Sequence, residues 1–267
     1  MKRLKQRYRY SIILLKQLVK SDFKLRYQGS VLGYLWSLLR PLALFAILYV
    51  VFTKFIRIGG TIPHYPVYLL LGIVLWNFFV EVTTGSVSVI VSKGDLIRKI
   101  NFPKYVIILA GSFSALINLF INFLVVFVFM YINHVDFRMT ILALPLLVAE
   151  LFIFSLAVAF FLSAVFVRFR DVGYIWEVAI QGAFYATPIL YPLSLIPASA
   201  AKLLMLNPMA QIIQDARFIL VTDQTQTVNI VYGNSNARLL PIALVLIIAV
   251  VASLYFRARS RFFAEEV

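Results

Sequence analysis

From Tyr105 to Ile132 the chain runs for 28 residues without a single Asp, Glu, Lys or Arg. About 20 mainly apolar residues suffice for a helix to cross roughly 30 Å of hydrocarbon. In lipid every backbone N–H and C=O must be satisfied within the structure, so a run of this kind folds as a spanning helix. Comparable apolar windows recur at about 31–55, 67–91, 141–167, 172–191 and 239–256. The sequence therefore predicts an all-α polytopic membrane protein with six transmembrane helices. Residues 1–30 precede the first span, 31–256 form the membrane domain, and 257–267 are a tail. Pro41, inside the first window, removes one helical hydrogen bond and predicts a kink there. Asp136-Phe137-Arg138 is a short connection that predicts an antiparallel hairpin of spans three and four.

Composition excludes the soluble alternatives. Hydrophobic residues make up 62% of the chain and charged ones 13%, against about 25% charged in a soluble domain. A formal net charge of +14 would fit nucleic acid on a soluble face. On so apolar a chain it is better explained as topology signals facing anionic lipid, with no nucleic-acid partner. There is no cysteine, hence no disulfide, thiolate nucleophile or thiolate-held metal. Near the start, Lys16 breaks the apolar stretch Ser11–Leu15, which predicts no signal-peptide core.

An even number of spans puts both termini on one side. Nine Lys and Arg precede the first span; Lys93, Arg98, Lys99 and Lys104 follow the second, Arg168 and Arg170 the fourth, and Arg257, Arg259 and Arg261 the sixth. The opposite side holds only Lys54, Arg57, Arg138, Lys202, Arg217 and Arg238. The positive-inside rule then predicts cytoplasmic termini in a plasma or inner membrane.

Three stretches outside the spans carry patterns. Between Tyr8 and Tyr27, Ile12, Leu15, Val19 and Phe23 recur at helical spacing while Lys16, Lys20 and Lys24 form a separate ridge. That pattern predicts either a helix in the membrane interface, lysines among the headgroups, or one packed on its own protein. Gly94-Asp95-Leu96-Ile97-Arg98-Lys99-Ile100, closed by Pro103, is long enough for a short helix. Its stripe of Leu96, Ile97 and Ile100 is too small to stand alone, so the segment is a docking helix or a simple connection. Between spans five and six, Ala198–Leu206 and Ile212–Val221 are too short to cross and predict short helices or a re-entrant hairpin, while Thr222–Asn236 predicts a polar loop.

An active site needs convergent nucleophile, base or metal groups. His64 and His134, the two histidines, fall in loops, and no His-Glu-x-x-His, Gly-x-Ser-x-Gly or phosphate-loop motif occurs. The chain is expected not to be an enzyme. Its unusual groups are the intramembrane ionisable residues Arg40, Glu81, Glu150 and Glu177, which face a central pathway or pair structurally. Aromatics near span ends, among them Tyr34, Trp36, Trp76, Tyr174, Trp176 and Tyr185, form interfacial belts or a wall on which sugar rings stack.

Several motifs are specific. Asp22-Phe23-Lys24-Leu25-Arg26-Tyr27-Gln28-Gly29-Ser30-Val31-Leu32-Gly33-Tyr34-Leu35-Trp36, then Arg40-Pro41-Leu42, resembles the N-terminal signature of ABC-2-type permeases that export polysaccharides. The resemblance continues in Phe102-Pro103-Lys104-Tyr105, Arg168-Phe169-Arg170-Asp171-Val172, Ala186-Thr187-Pro188-Ile189-Leu190-Tyr191-Pro192 and Asn207-Pro208-Met209. It covers nearly the whole chain, in order.

The resemblance implies a homodimeric permease paired with two copies of a separate ATPase subunit, on which ATP and Mg bind, and no cofactor on this chain. It makes Gly94, Asp95, Leu96, Ile97, Arg98, Lys99 and Ile100 the ATPase-coupling helix and the residues around Ile12, Leu15, Lys16, Val19, Lys20, Phe23 and Lys24 an interface helix. Spans one and five line the path, where Tyr34, Trp36, Arg40, Tyr174, Trp176, Glu177, Gln181 and Tyr185 are placed, and Ala198–Val221 supplies gate helices. The implied cargo is a lipid-linked polymer: an O-antigen-like polysaccharide first, wall teichoic acid second. A rival of another class is a proton-coupled secondary transporter using Glu81, Glu150 or Glu177.

Overall fold

The computed structural model describes residues 11–22, 33–99 and 102–266, and every regular element among them is helical. Residues 11–22 form α1. Leu14, Leu15 and Leu18 pack against the main core, while Ile12, Ile13, Lys16, Gln17 and Lys20 are exposed. The inward stripe is thus turned from the expected one: Leu15 belongs to it, Val19 is half-buried, and Ile12 is exposed. Phe23 and Lys24 lie outside the described residues. The Nζ of Lys93 reaches Oδ1 of Asp22 at 2.9 Å, tying the end of α1 to the start of the short helix α5 described below.

α2 (Trp36–Val50) contains Pro41 and continues into a π-helical turn, Val51–Phe55. α3 (Tyr65–Val87) starts after His64, whose left-handed φ of 51° starts the helix and whose Nδ1 lies 3.0 Å from the carbonyl of Asn133. The short α4 (Val89–Ser92) and α5 (Gly94–Lys99) follow. α6 (Tyr105–Ile132) and α7 (Leu144–Arg168), the latter with a 3-10 lead-in at Met139–Ala143, form the expected hairpin.

α8 (Val172–Ala186) is the departure. The fifth of six spans was expected over 172–191, but the helix has 15 residues, about 22 Å of rise against roughly 30 Å of hydrocarbon. Thr187 is extended, with ψ 137°, because the following Pro188 disfavours helical backbone at the residue before it. Beyond it come α9 (Ala198–Leu204), α10 (Pro208–Leu220), α11 (Val228–Tyr232), α12 (Leu239–Arg259) and α13 (Phe263–Glu266). Among the described residues, five helices are long and apolar enough to cross a membrane: Trp36–Phe55, Tyr65–Val87, Tyr105–Ile132, Met139–Arg168 and Leu239–Arg259.

α3 is the axis of the fold, buried along most of its length and packed by α2, α6, α7, α8 and α10. Phe79 stacks on Phe154 of α7 at 5.3 Å, and Trp76 meets Phe184 of α8 edge-on at 5.8 Å. α12 lies along α7. Every residue of α10 except Phe218 is buried. This helix, too short to span, is held among α3, α7 and α12. Asn207 caps it by accepting the N–H of Met209 at 3.0 Å, and Pro208 fills a first-turn position where no intrahelical donor is needed. The expected polar loop 222–236 contains α11, whose Tyr232 hydroxyl donates to the carbonyl of Lys202 at 2.9 Å. The tail also folds back: Phe263 is fully buried, edge-on to Phe256 at 5.5 Å, and α13 packs beside α5 and α7.

Candidate functional site

α2, α3 and α6 enclose a cleft of about 750 Å³. α2 contributes Trp36, Ser37 and Arg40; α3 contributes Asn77, Glu81 and Thr84; α6 contributes Asn118 and Asn122. Asn118 and Asn122 are one helical turn apart and share a face. The Nδ2 of Asn118 donates to Oε1 of Glu81 at 2.8 Å, and the Nδ2 of Asn122 donates to the carbonyl of Asn118 at 2.8 Å and of Ser37 at 3.4 Å. Trp36 is half exposed and Arg40 is exposed. One cation, one carboxylate, three amides and an open indole face therefore line a cleft flanked by spanning helices. Such a wall offers donors and acceptors to hydroxyl groups and a flat apolar surface to a sugar ring.

The residues expected on a path divide into two groups. Trp36 and Arg40 enter the cleft. On α8, Tyr174, Glu177, Gln181 and Tyr185 are exposed along one side. Trp176 points the other way, packing edge-on to Phe79 at 6.2 Å, with its Nε1 buried and unpartnered among the described residues. Tyr34 lies in the 3-10 turn Gly33–Leu35 that leads into α2. Of the cleft residues, Asn77, Asn118 and Asn122 were missed by sequence reasoning, which weighed ionisable and aromatic side chains and, among the amides, only Gln181. Two asparagines four apart in the apolar run of α6 were the available signal.

α5 forms as expected, but its apolar stripe is already taken. Ile97 is buried in the main core and Leu96 packs against it, while Asp95, Arg98 and Lys99 are exposed and Ile100 lies outside the described residues. A helix this short cannot bury two apolar side chains in its own chain and offer them elsewhere. The surface α5 presents outward is polar and basic.

A second polar cluster surrounds α10. Arg217 is fully buried. Its Nε donates to the carbonyl of Tyr68 at 3.1 Å, and Nη1 and Nη2 donate to the carbonyls of Pro188 and Ile189, each at 2.6 Å. The Tyr65 hydroxyl donates to the carbonyl of Leu190 at 3.2 Å. The turn after α8 is thus fastened to the first turns of α3. Nearby, Oδ2 of Asp215 accepts Nε2 of Gln211 at 2.6 Å and pairs with Nε of Arg238 at 3.1 Å. Burial holds the Asp215 carboxyl above the usual carboxylate range, with Arg238 and Gln211 pulling it back down. Sequence reasoning counted Arg217 only as a charge on the far side of the membrane, within a stretch expected to be a short helix or a re-entrant hairpin; its position next but one to Asp215, among apolar Ile212, Ile213, Ile219 and Leu220, was the signal.

The cleft, α5 and the Arg217 site all lie within residues 13–221, which match the model of the ABC-2 type transporter family. The chain belongs to that family. Among ABC-2 type relatives, it is 30% identical over 212 residues to the O-antigen export system permease protein RfbA of Klebsiella pneumoniae, a match covering 79% of this chain and 81% of that protein. It is 29% identical over 270 residues to the O-antigen export system permease protein RfbA of Myxococcus xanthus, covering 99% and 98%. A more distant ABC-2 type relative is the polysialic acid transport protein KpsM of Escherichia coli, 24% identical over 213 residues, 77% of this chain and 80% of that one. The family match ends just past α10, so α12 and α13 lie outside it while the end-to-end likeness to the Myxococcus protein includes them.

Proposed function

We propose that this chain is the membrane permease subunit of an ATP-driven exporter of a lipid-linked cell-surface polysaccharide. The observation that carries the reading is the end-to-end similarity to an O-antigen export permease, joined to a cleft lined by amides, an indole, a cation and a carboxylate among the spanning helices. The working unit is a homodimer with two copies of a separate ATPase, which binds ATP and Mg. Both termini and α5 face the cytoplasm, by the distribution of Lys and Arg. α8 crosses with the turn that follows it as a short fifth passage, and α9 and α10 act as gate helices on the far side. In a dimer, the open face of α8, with Tyr174, Glu177, Gln181 and Tyr185, approaches the α2 cleft of the partner copy and completes the path. ATP binding moves the permease through contacts that differ between its two conformations, which a stiff coupling helix transmits. Asp95, Arg98 and Lys99 are the coupling surface, since they are the exposed part of α5.

The deciding experiment is affinity purification of the tagged chain from its own membranes, with deletion of the gene and analysis of surface polymer. Copurification of an ABC ATPase together with loss of a surface polysaccharide is expected. Export driven by a proton gradient with no ATPase would overturn the reading in favour of a secondary transporter working through Glu81.

A further inference from the structure

A cavity of about 690 Å³ lies between the first turn of α6, the inner part of α7 and the last turns of α12, and shares no lining residue with the cleft. Three cations border it: Lys104 at the N-cap of α6, Arg257 in the last turn of α12, and Arg261 just beyond. None of the three forms an ion pair with a described residue. Its inner wall is aromatic, with Phe160 of α7 and Phe256 of α12 in contact at 4.9 Å and Phe256 buried. Tyr105 is exposed at its rim.

The polarity runs in one direction. Phe160 lies two helical turns inside the end of α7 at Arg168, at the depth of acyl chains. Lys104, Arg257 and Arg261 sit at helix ends, at the depth of headgroups. We infer that this cavity is a binding site for an anionic glycerophospholipid, its phosphate among Lys104, Arg257 and Arg261 and an acyl chain against Phe160 and Phe256. Charge complementarity selects a lipid with a net negative headgroup over a zwitterionic one, because three cations with no ion-pair partner among the described residues repel each other and attract phosphate. A free phosphate would satisfy the cations and leave the aromatic wall wet, whereas a lipid satisfies both. Its size suits one headgroup with part of a chain, within the range of about 300–1,000 Å³ usual for small-ligand sites. Bound there, the lipid bridges the start of α6 and the end of α12, which lie far apart in sequence.

The test is native mass spectrometry of the full-length chain, purified in detergent with phosphatidylglycerol or phosphatidylcholine added at equal concentration. The wild type is expected to retain phosphatidylglycerol in preference. Each basic group at the surface strengthens such binding about fivefold, so Arg257→Gln with Arg261→Gln should lower retention by at least about tenfold. Arg168→Gln with Arg170→Gln, an equal loss of charge outside the cavity, should leave it unchanged. Ser253→Trp, at an exposed position lining the cavity, should lower retention without altering charge, and it decides the matter if the double arginine variant melts early. Equal loss in the two double variants, or none in the cavity variants, overturns the assignment. Displacement of phosphatidylglycerol by a short-chain polyprenyl diphosphate overturns it too, giving the site to the cargo's headgroup. Retention is read without transport, so failure here leaves the export reading untouched.

Discussion

The guanidinium carbon of Arg217 lies 3.5 Å from the centre of the Tyr68 ring, and opposite it Gly72 leaves no room: a Cβ there would stand 2.7 Å from Nη2 of Arg217. A buried cation is thus held between a π face and three backbone carbonyls, with no described carboxylate paired to it. Guanidinium suits the site because it is planar, offers donors in fixed directions and is less strongly hydrated than an ammonium.

Arg217→Met keeps the apolar stem and removes the donors, leaving three buried carbonyls without a partner. A loss of roughly 2–4 kcal/mol is expected, seen as a lower melting temperature in detergent. Gly72→Ala should act in the same direction by pushing Arg217 off its carbonyls, and wild-type melting of both variants would sink this account of the α8–α10 turn.

In the cleft, Asn118→Leu removes a donor to Glu81, while Trp36→Ala removes only an exposed ring. Both should reduce surface polysaccharide. Trp36→Ala is expected to do so with unchanged melting, because its ring is half exposed. Normal export by the double variant would show that the cleft is not on the path.

α5 separates folding from coupling. Ile97→Asp buries a charge in the main core and should cost several kcal/mol of stability. Arg98→Glu with Lys99→Glu reverses the exposed charges and should leave melting unchanged while weakening copurification of the ATPase or uncoupling its hydrolysis from export. Undisturbed coupling in the charge-reversed variant would remove α5 from the interface.

The Asp22–Lys93 pair is about a quarter exposed on each side. A double-mutant cycle with Asp22→Asn and Lys93→Met is expected to give a coupling of about 0.5–1 kcal/mol, at the upper end for partly exposed pairs. A value of zero would mean that α1 is held to the bundle by its leucines alone.

Asp215 titrates with a raised folded-state pKa, so folding takes up a proton at this group. Its contribution is fully present below the unfolded value of about 4 and is lost as pH rises through the folded value. Arg238 pairs with the same carboxylate, and Glu150 lies within electrostatic range of it. Wild type should therefore gain stability relative to Asp215→Asn as pH falls from about 7 toward about 4. Parallel melting profiles would show that another group carries the titration.

Hydrophobic run length determined a great deal from sequence alone. The windows at 105–132, 141–167 and 239–256 became α6, α7 with its 3-10 lead-in, and α12 nearly to the residue, because in lipid a long apolar segment has no alternative to a helix. The motif series was likewise legible, since it lies in the order of residues. The short segments were different. Whether Ile97 serves its own core or a partner and which face of α1 turns inward are settled by neighbours that lie far away in sequence, whereas the break of 172–191 into a helix and a turn was legible in Pro188. Arg217 is the clearest instance: sequence makes it a cation in a short helix, and only the approach of Tyr68, Pro188 and Ile189, brought from two other segments, makes burial of that charge possible. Local hydrophobicity fixes which segments enter the membrane, but partners for a buried polar group are supplied by the tertiary fold.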